Sequence, residues 1–318
     1  MDSPSTASIA SVSCARRHAA RRRVLTAALG LATLASCRQA AVGDAAPVSA
    51  ARRSGALQDD ALTEASGATV GASGVIWSLN DSGNEPQLFA LDSTGAALGR
   101  VRVVGARNAD WEAVGAGPCP QGACVYVGDV GDNGAKRVFV TLYRVREPAV
   151  TDTVTRPADS VRVTFADGPR DVEAMWVAPD TAVWLVTKRP MRRLDGSARP
   201  SLLYRVPPES WGTARSVPVV ETDSIPHTPI KGFSDSWVTD AALSPADASG
   251  RRRVAIRTYA EVMVFEATPT YGTGALIARC SLLPLYEEQG ESLTWLSPQR
   301  LLLLSEGSRA PVHTAQCP

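Results

Sequence analysis

A short motif recurs five times along this chain: an acidic residue, then Ala or Ser, then in most copies an apolar residue. The copies are Glu64-Ala65-Ser66, Glu112-Ala113-Val114, Glu173-Ala174-Met175, Asp240-Ala241-Ala242 and Glu291-Ser292-Leu293, with acids spaced by 48, 61, 67 and 51 positions. If one architecture gathers these carboxylates in a narrow mouth, they repel, and each must take up a proton or share a cation. A set of carboxylate and hydroxyl oxygens with few nitrogen or sulfur donors suits calcium or magnesium. The expected cation ligands are Glu112, Glu173, Asp240, Glu291 and Ser66, and the expected ion is calcium. Asp129, Asp132 and Asn133 form a second oxygen-rich loop without full EF-hand spacing. Lys188, Arg189 and Arg257 can offset the charge or clamp an anionic ligand. With Asp81, Asp129, Asp132 and Glu306 they make up the expected ligand-binding set.

The same residue types have a structural use. Acids and serines at strand starts bond neighbouring backbone amides and can lock elements together. Asn-Asp-Ser-Gly strings are ordinary turn chemistry. Trp77, Trp111, Trp176, Trp184 and Trp295 are expected in packing, not as ligand platforms. The chain has no GxSxG elbow, P-loop, GxGxxG or HExxH string, which removes the commonest nucleophile, phosphate and zinc-protease readings. Past the first 36 residues only His227 and His313 remain, so a Ser-His-Asp triad is not expected.

The elements that must position these residues are short and apolar. After each motif comes a turn, then a strand: Val75 to Ser78, Cys124 to Val127, Ala182 to Val186, Arg253 to Ile256 and Leu301 to Leu304. A third strand follows in several repeats, as at Gln87 to Leu91 and Val140 to Val145, and a fourth fits Arg100 to Val104 and Ser160 to Phe165. Four antiparallel strands repeated every 50–60 residues or so describe an all-β fold, a β-propeller. Five motifs argue five blades; a six-bladed ring, with one blade hidden in the 67-residue interval, is the alternative. The last repeat is cut short at Pro318, so its outer strand should come from residues just before Glu64 and close the ring. In such a blade the first strand starts, and the second ends, at the same end of the channel. The starts supply Glu64, Asp110, Glu112, Asp171, Glu173, Asp240 and Glu291. The ends supply Asn80, Asp81, Asp129, Asp132, Lys188, Arg189, Arg257 and Glu306.

Several strings resemble an uncharacterised family of secreted bacterial β-propeller lipoproteins: Trp77 to Gly83, Asp110-Trp111-Glu112-Ala113, Gly128 to Asn133, Asp171 to Ala174, and Arg257-Thr258-Tyr259. The resemblance covers residues 60 to 318. More distantly, the layout is similar to the soluble calcium-activated nucleotidase (apyrase) family of five-bladed propellers. That resemblance implies a calcium ion in the channel, held by acidic and Ser side chains, with Leu62 to Ser66 and Asp110 to Val114 where that family has its channel motifs. Residues matching its nucleotide-binding set are not recognisable here.

The first residues read as an export signal. Arg16, Arg17, Arg21, Arg22 and Arg23 precede the twelve-residue apolar run Val24 to Ala35, and Leu34-Ala35-Ser36-Cys37 matches a bacterial lipobox. The run is too short to span roughly 30 Å of hydrocarbon as a helix. The expected organisation is a signal peptide at 1–36, a lipidated Cys37 with a flexible tether at 37–58, and a propeller at 59–318. The mature part keeps 28 basic and 31 acidic residues, a net charge of −3, which gives no electrostatic footprint for nucleic acid. Its four cysteines, outside the cytosol, suggest two disulfides, Cys119–Cys124 in a hairpin and Cys280–Cys317 at the C-terminus. These readings describe a monomer, lipid-anchored to a membrane and facing the periplasm or cell exterior. It would bind a small-molecule or protein ligand; a calcium-dependent hydrolase of phosphoesters or related esters is the alternative.

Overall fold

The computed structural model describes residues 46–188, 200–225 and 236–317. The signal segment, Cys37, Arg189 and His227 lie outside the described residues. Two strands open the fold, β1 (Ala46–Pro47) and β2 (Ser49–Ala56). Blade 1 follows as β3 (Ala65–Val70), β4 (Ile76–Asn80), β5 (Gln87–Leu91) and β6 (Ala97–Arg102). Blade 2 is β7 (Trp111–Cys119), β8 (Gly122–Asp129), β9 (Val140–Arg146) and β10 (Asp159–Phe165). Blade 3 is β11 (Val172–Val177), β12 (Val183–Thr187) and β13 (Ser201–Val206), then β14 (Val217–Val219), which leaves the blade, and β15 (Glu221–Ile225). Blade 4 is β16 (Val238–Leu243), β17 (Arg253–Thr258), β18 (Glu261–Ala267) and β19 (Thr273–Ser281). Blade 5 is β20 (Ser292–Ser297), β21 (Arg300–Leu304) and β22 (Pro311–Gln316), completed on its outer edge by β2.

The architecture is a five-bladed β-propeller of four-stranded antiparallel blades. The six-bladed alternative fails because the long interval after Glu173 holds one blade plus the stray strand β14. Ring closure by a strand from before Glu64 is present, but that strand falls inside the stretch read as tether. Strand structure among the described residues begins at Ala46, ahead of residue 59. The Ala-, Arg- and Ser-rich composition carries no apolar period because residues 49–53 are solvent-exposed, and an outer strand needs no buried face.

Outer edges are the weak points of open sheets, since unpaired N–H and C=O groups invite other chains. Here the segment leading into an outer strand first pairs with the previous blade. Thr153 and Thr155 exchange backbone bonds with Arg102 of β6 before the chain enters β10. β14 runs parallel to β10 before β15, and β1 runs parallel to β19 before β2.

Five clusters of buried apolar residues form the core, one at each joint between neighbouring blades. The five tryptophans named above sit in them. Trp176 and Trp184 stack at 5.8 Å and 10° between blades 3 and 4. Their indole N–H groups donate to the carbonyls of Tyr271 and Thr270, as buried indoles require. Cys119–Cys124 and Cys280–Cys317 are both joined. The first closes the β7–β8 hairpin, and the second ties β22 to the edge of blade 4. Among the described residues, all five joints and both disulfides are made within 46–317. No helix among the described residues is long and apolar enough to cross a membrane.

Candidate functional site

Bulges aim the motif residues into the channel. In blade 2 Trp111 pairs with Asp129 and Ala113 with Gly128, so Glu112 is the extra residue. In blade 3 Val172 pairs with Thr187 and Ala174 with Val186, leaving Glu173. In blade 4 Val238 pairs with Thr258 and Asp240 with Arg257, leaving Thr239. In blade 1 the register shifts between Ala65 and Ala68, around Ser66. Bulges of this kind re-aim a side chain beside a site. The mouth level is therefore Ser66, Glu112, Glu173, Thr239 and Glu291. The fourth motif is offset by one residue from the sequence reading, with Thr239 rather than Asp240 in the acid's place.

A second ring comes from the end of the second strand: Asp81, Val130, Lys188, Tyr259 and Glu306. Backbone clasps tie four of these to the residue two before the mouth residue. Asp81 donates to the Glu64 carbonyl, Val130 to Asp110 and Lys188 to Asp171, each at 3.0 Å, and Glu306 to Gln289 at 2.8 Å. Gly67 donates to the Glu291 carbonyl at 3.1 Å, and Val238 to Lys188 at 2.9 Å, which bonds one blade to the next.

Together these rings gather the acids. Asp81, Asp110 and Glu112 each present one oxygen, all within 4.8 Å of one another. Calcium, with bonds of roughly 2.3–2.6 Å, bridges such a span even between opposite ligands. Glu112 is buried, and Ser66 Oγ donates to its Oε2 at 3.0 Å. Burial first, then the Asp81 charge, raises its pKa to about 9. The same causes raise Asp110 to about 6. Burial and Glu291 raise Glu306 to about 7. Burial and Glu112 push Glu173 well above its usual range.

Lys188 Nζ pairs with Glu173 Oε1 at 2.9 Å. Burial works against its charge, yet Glu173, Glu112 and Glu291 together hold its pKa above the usual value. The Tyr259 hydroxyl donates to Glu291 Oε1. Glu291 Oε2 is buried with no hydrogen-bond partner among the described residues. A buried carboxylate oxygen without a hydrogen-bond partner calls for a ligand or a proton, and the oxygens of Asp81, Asp110 and Glu112 are a donor set that fits a hard divalent ion.

Other expected site residues are placed differently. Asp240 Oδ2 accepts the amides of Leu293 (2.6 Å) and Ala68 (3.2 Å), and Oδ1 accepts Ala241 N (2.8 Å). It clamps blades 4, 5 and 1 and has no oxygen turned to the mouth cluster. Burial raises its pKa, against the pull of these amides and of Arg257. Arg257 is fully buried; its guanidinium donates to the carbonyls of Ser292 and Leu304 and pairs with Glu287, which also meets His313 Nδ1 at 3.3 Å. It seals the joint of blades 4 and 5 and does not reach a ligand position. Gly290 makes room for it, since a Cβ there would lie 1.6 Å from Arg257 Nη2.

Asp129 accepts Asp110 N at 3.0 Å and pairs with Arg137 at 2.9 Å. Asp132 accepts Arg137 N at 2.7 Å. The guanidinium of Arg137 thus occupies the place where a loop cation was expected, and Asp129 positions Asp110. Asp110 and Tyr259 were missing from the expected ligand sets. Both follow a visible rule: Asp110 lies two before a mouth acid, and Tyr259 directly follows a second strand, as Asp81 and Lys188 do.

The other end of the channel is a cavity of about 390 Å³, lined mostly by apolar and small residues of all five inner strands, with no carboxylate.

No protein-family profile matches this chain, and no curated protein matches it. Solved structures similar to it are β-propellers. A PQQ-bound aldose sugar dehydrogenase from Streptomyces coelicolor is 12% identical with a TM-score of 0.50, over 86% of this chain and 100% of that one. A GH43_1 enzyme from Xanthomonas citri is 13% identical with a TM-score of 0.48, over 85% and 91%. A gluconolactonase from Xanthomonas campestris is 14% identical with a TM-score of 0.39, over 89% and 100%. At these identities the likeness concerns the fold alone.

Proposed function

We propose that this protein is an exported, lipid-anchored propeller whose channel mouth holds a divalent cation, calcium before others, and that the cation-loaded mouth is a binding module for a small-molecule or protein ligand. The observation that carries this is the convergence of Asp81, Asp110 and Glu112 within 4.8 Å, beside the bare Oε2 of Glu291. The cation would be held by those three residues with Glu291 close by. It would supply positive charge to a ligand's oxygens, while Ser66 orients Glu112, Asp129 fixes Asp110, and Lys188 balances Glu173. The two disulfides point to an oxidising compartment outside the cytosol. The lipobox at Cys37 supports a membrane anchor, and the net charge of the mature chain speaks against nucleic acid as partner; we take the protein to act as a monomer.

A hydrolase of phosphoesters or related esters is the second reading, and one observation favours it. Asp81 and Asp110 are only half-buried, so a cation there would keep an open side facing solvent, as a metal that activates water requires. Calorimetric titration of the metal-free protein with calcium and with magnesium tests the cation. No heat and no stabilisation by either ion would sink both readings. A phosphoester and ester screen, with and without calcium, then separates them.

A further inference from the structure

Arginines gather on the face opposite the acidic mouth, and on one sector of it. First strands run away from the mouth, so the turns between first and second strands lie at the far face, as do those between third and fourth. On blades 4 and 5 these turns carry Arg251, Arg252, Arg253 and Arg300, and the outer strand β2 adds Arg52 and Arg53. Arg252 and Arg253 line one depression with Arg251, of about 340 Å³. Arg52, Arg53 and Arg300 line another, of about 210 Å³, with Ser54, Ser93, Thr94 and Thr314 and no carboxylate. The apolar cavity at the end of the channel joins the two, since Arg252 borders it on one side and Leu296 is common to it and the second depression.

Two acids line the first depression. Asp247 accepts the amides of its own turn and pairs with Arg251, and Glu266 lies across the strand pair from Arg253. Among the described residues Arg52 and Arg53 bond through Nε, toward Thr314 Oγ1 and the Gly55 carbonyl. Both residues are exposed. Six guanidinium groups thus line these depressions against two carboxylates, Asp247 and Glu266, on a disc whose opposite face is crowded with acids.

The N-terminal chain arrives on the same two blades. β1 pairs with the edge of blade 4, and β2, which bears Arg52 and Arg53, is the edge of blade 5. Eight residues lie between Cys37 and Ala46, so nine residue-to-residue steps give a reach of at most about 32 Å when fully extended. A lipid on Cys37 would keep the edge of blades 4 and 5 within that reach of a bilayer. An anionic surface attracts basic groups by about 1 kcal/mol per arginine near it and repels the acidic mouth, so both faces favour one orientation.

We propose that the arginine sector of blades 4 and 5 docks on an anionic phospholipid surface and turns the acidic mouth toward the solvent. This rests on the exported, lipid-anchored reading above, but the test is separable from it. A chain of residues 44–318 lacks both Cys37 and the apolar run, and it is one compact unit that keeps all five blades and both disulfides. It is sedimented with vesicles of phosphatidylcholine alone and of phosphatidylcholine with phosphatidylglycerol, at low and at moderate salt. Binding is expected only to the anionic vesicles and should weaken with salt. Arg53→Glu and Arg300→Glu should each lower the partition coefficient about fivefold or more, without changing the melting temperature. Arg162→Glu on blade 2 is the control and should leave binding unchanged. Equal binding to both vesicle types, no binding to either, or an equal loss with Arg162→Glu overturns the proposal. A chain that docks while the full-length protein proves unlipidated would remove the anchor and keep the surface.

Discussion

Replacing Glu112 by Gln should stabilise the metal-free domain and weaken its response to calcium. The Glu112 carboxyl is raised from 4.5 to about 9 by burial and by the charge of Asp81. Between those values the folded protein holds a proton that the unfolded chain releases. The contribution to stability is whole below the unfolded value and is lost as pH rises toward the folded one, by about 1.4 kcal/mol per pH unit. At pH 7 the interval above the unfolded value gives a ceiling of about 3 kcal/mol, lowered because the neighbouring carboxylates compete for the same protons. Gln keeps the shape and can still accept from Ser66 Oγ, and it carries no charge to bury. In chelator the variant should melt several degrees above the wild type, at roughly 2–4 °C per kcal/mol for a domain of this size.

Calcium reverses the order. Bound only by the folded state, it adds about 2.7 kcal/mol at a hundredfold excess over its dissociation constant, and the variant, one anionic ligand short, should lose most of that gain. Thermal melts across about pH 5 to 9, in chelator and in excess calcium, measure both effects. The wild type should lose stability with pH in chelator, and the slope should flatten in calcium. A variant that melts below the wild type in chelator at alkaline pH, with its calcium gain intact, would refute the reasoning and make Glu112 a clamp between blades 1 and 2.

Other outcomes follow from the same geometry. Asp240→Ala strands three buried amides, each worth about 1–3 kcal/mol, so its urea midpoint should drop by the equivalent of at least 3 kcal/mol, with the calcium response unchanged in whatever remains folded. Cys317→Ser opens a disulfide of sequence separation 37; the loop-entropy relation gives a loss of about 4 kcal/mol, to be read by calorimetry against reduced and oxidised wild type. Cys37→Ala should move the exported protein from the membrane fraction to the soluble one, and a variant still in membranes would remove the anchor.

Much of this fold is legible in the sequence because a propeller repeats one solution. Each inner strand must begin at the channel mouth, so its first residues recur by type, and the apolar run after each turn marks the buried second strand. The closing strand is predictable from the truncated fifth repeat. Its location inside an Ala- and Arg-rich stretch is not, because an outer strand buries too little surface to need a pattern. The register of the fourth motif is hidden for a different reason. A bulge adds one residue without changing composition, so Asp240-Ala241 matches Glu112-Ala113 by type while the pairing sets Thr239 against Glu112. Arg257 misleads in the same way: it stops one residue short of the strand end, and that one step points it into a joint instead of the mouth.

Residue type alone cannot separate a clamp from a ligand, because a carboxylate is satisfied equally by amides or by a cation. The separation lies in what each acid meets. Asp240 meets three backbone N–H groups, drawn from its own strand and two other blades. Glu291 meets one tyrosine hydroxyl and keeps an oxygen bare. Those amides are free to bond because inner strands have no further strand on the channel side. How far along the strand an acid sits therefore decides its role: one residue deeper it reaches the amides of neighbouring blades, and at the mouth level it meets side chains, Ser66 for Glu112, Lys188 for Glu173 and Tyr259 for Glu291. Glu112 owes its place beside Asp81 and Asp110 to that one-residue difference, and the three oxygens so gathered have the spacing that a hard divalent cation fits.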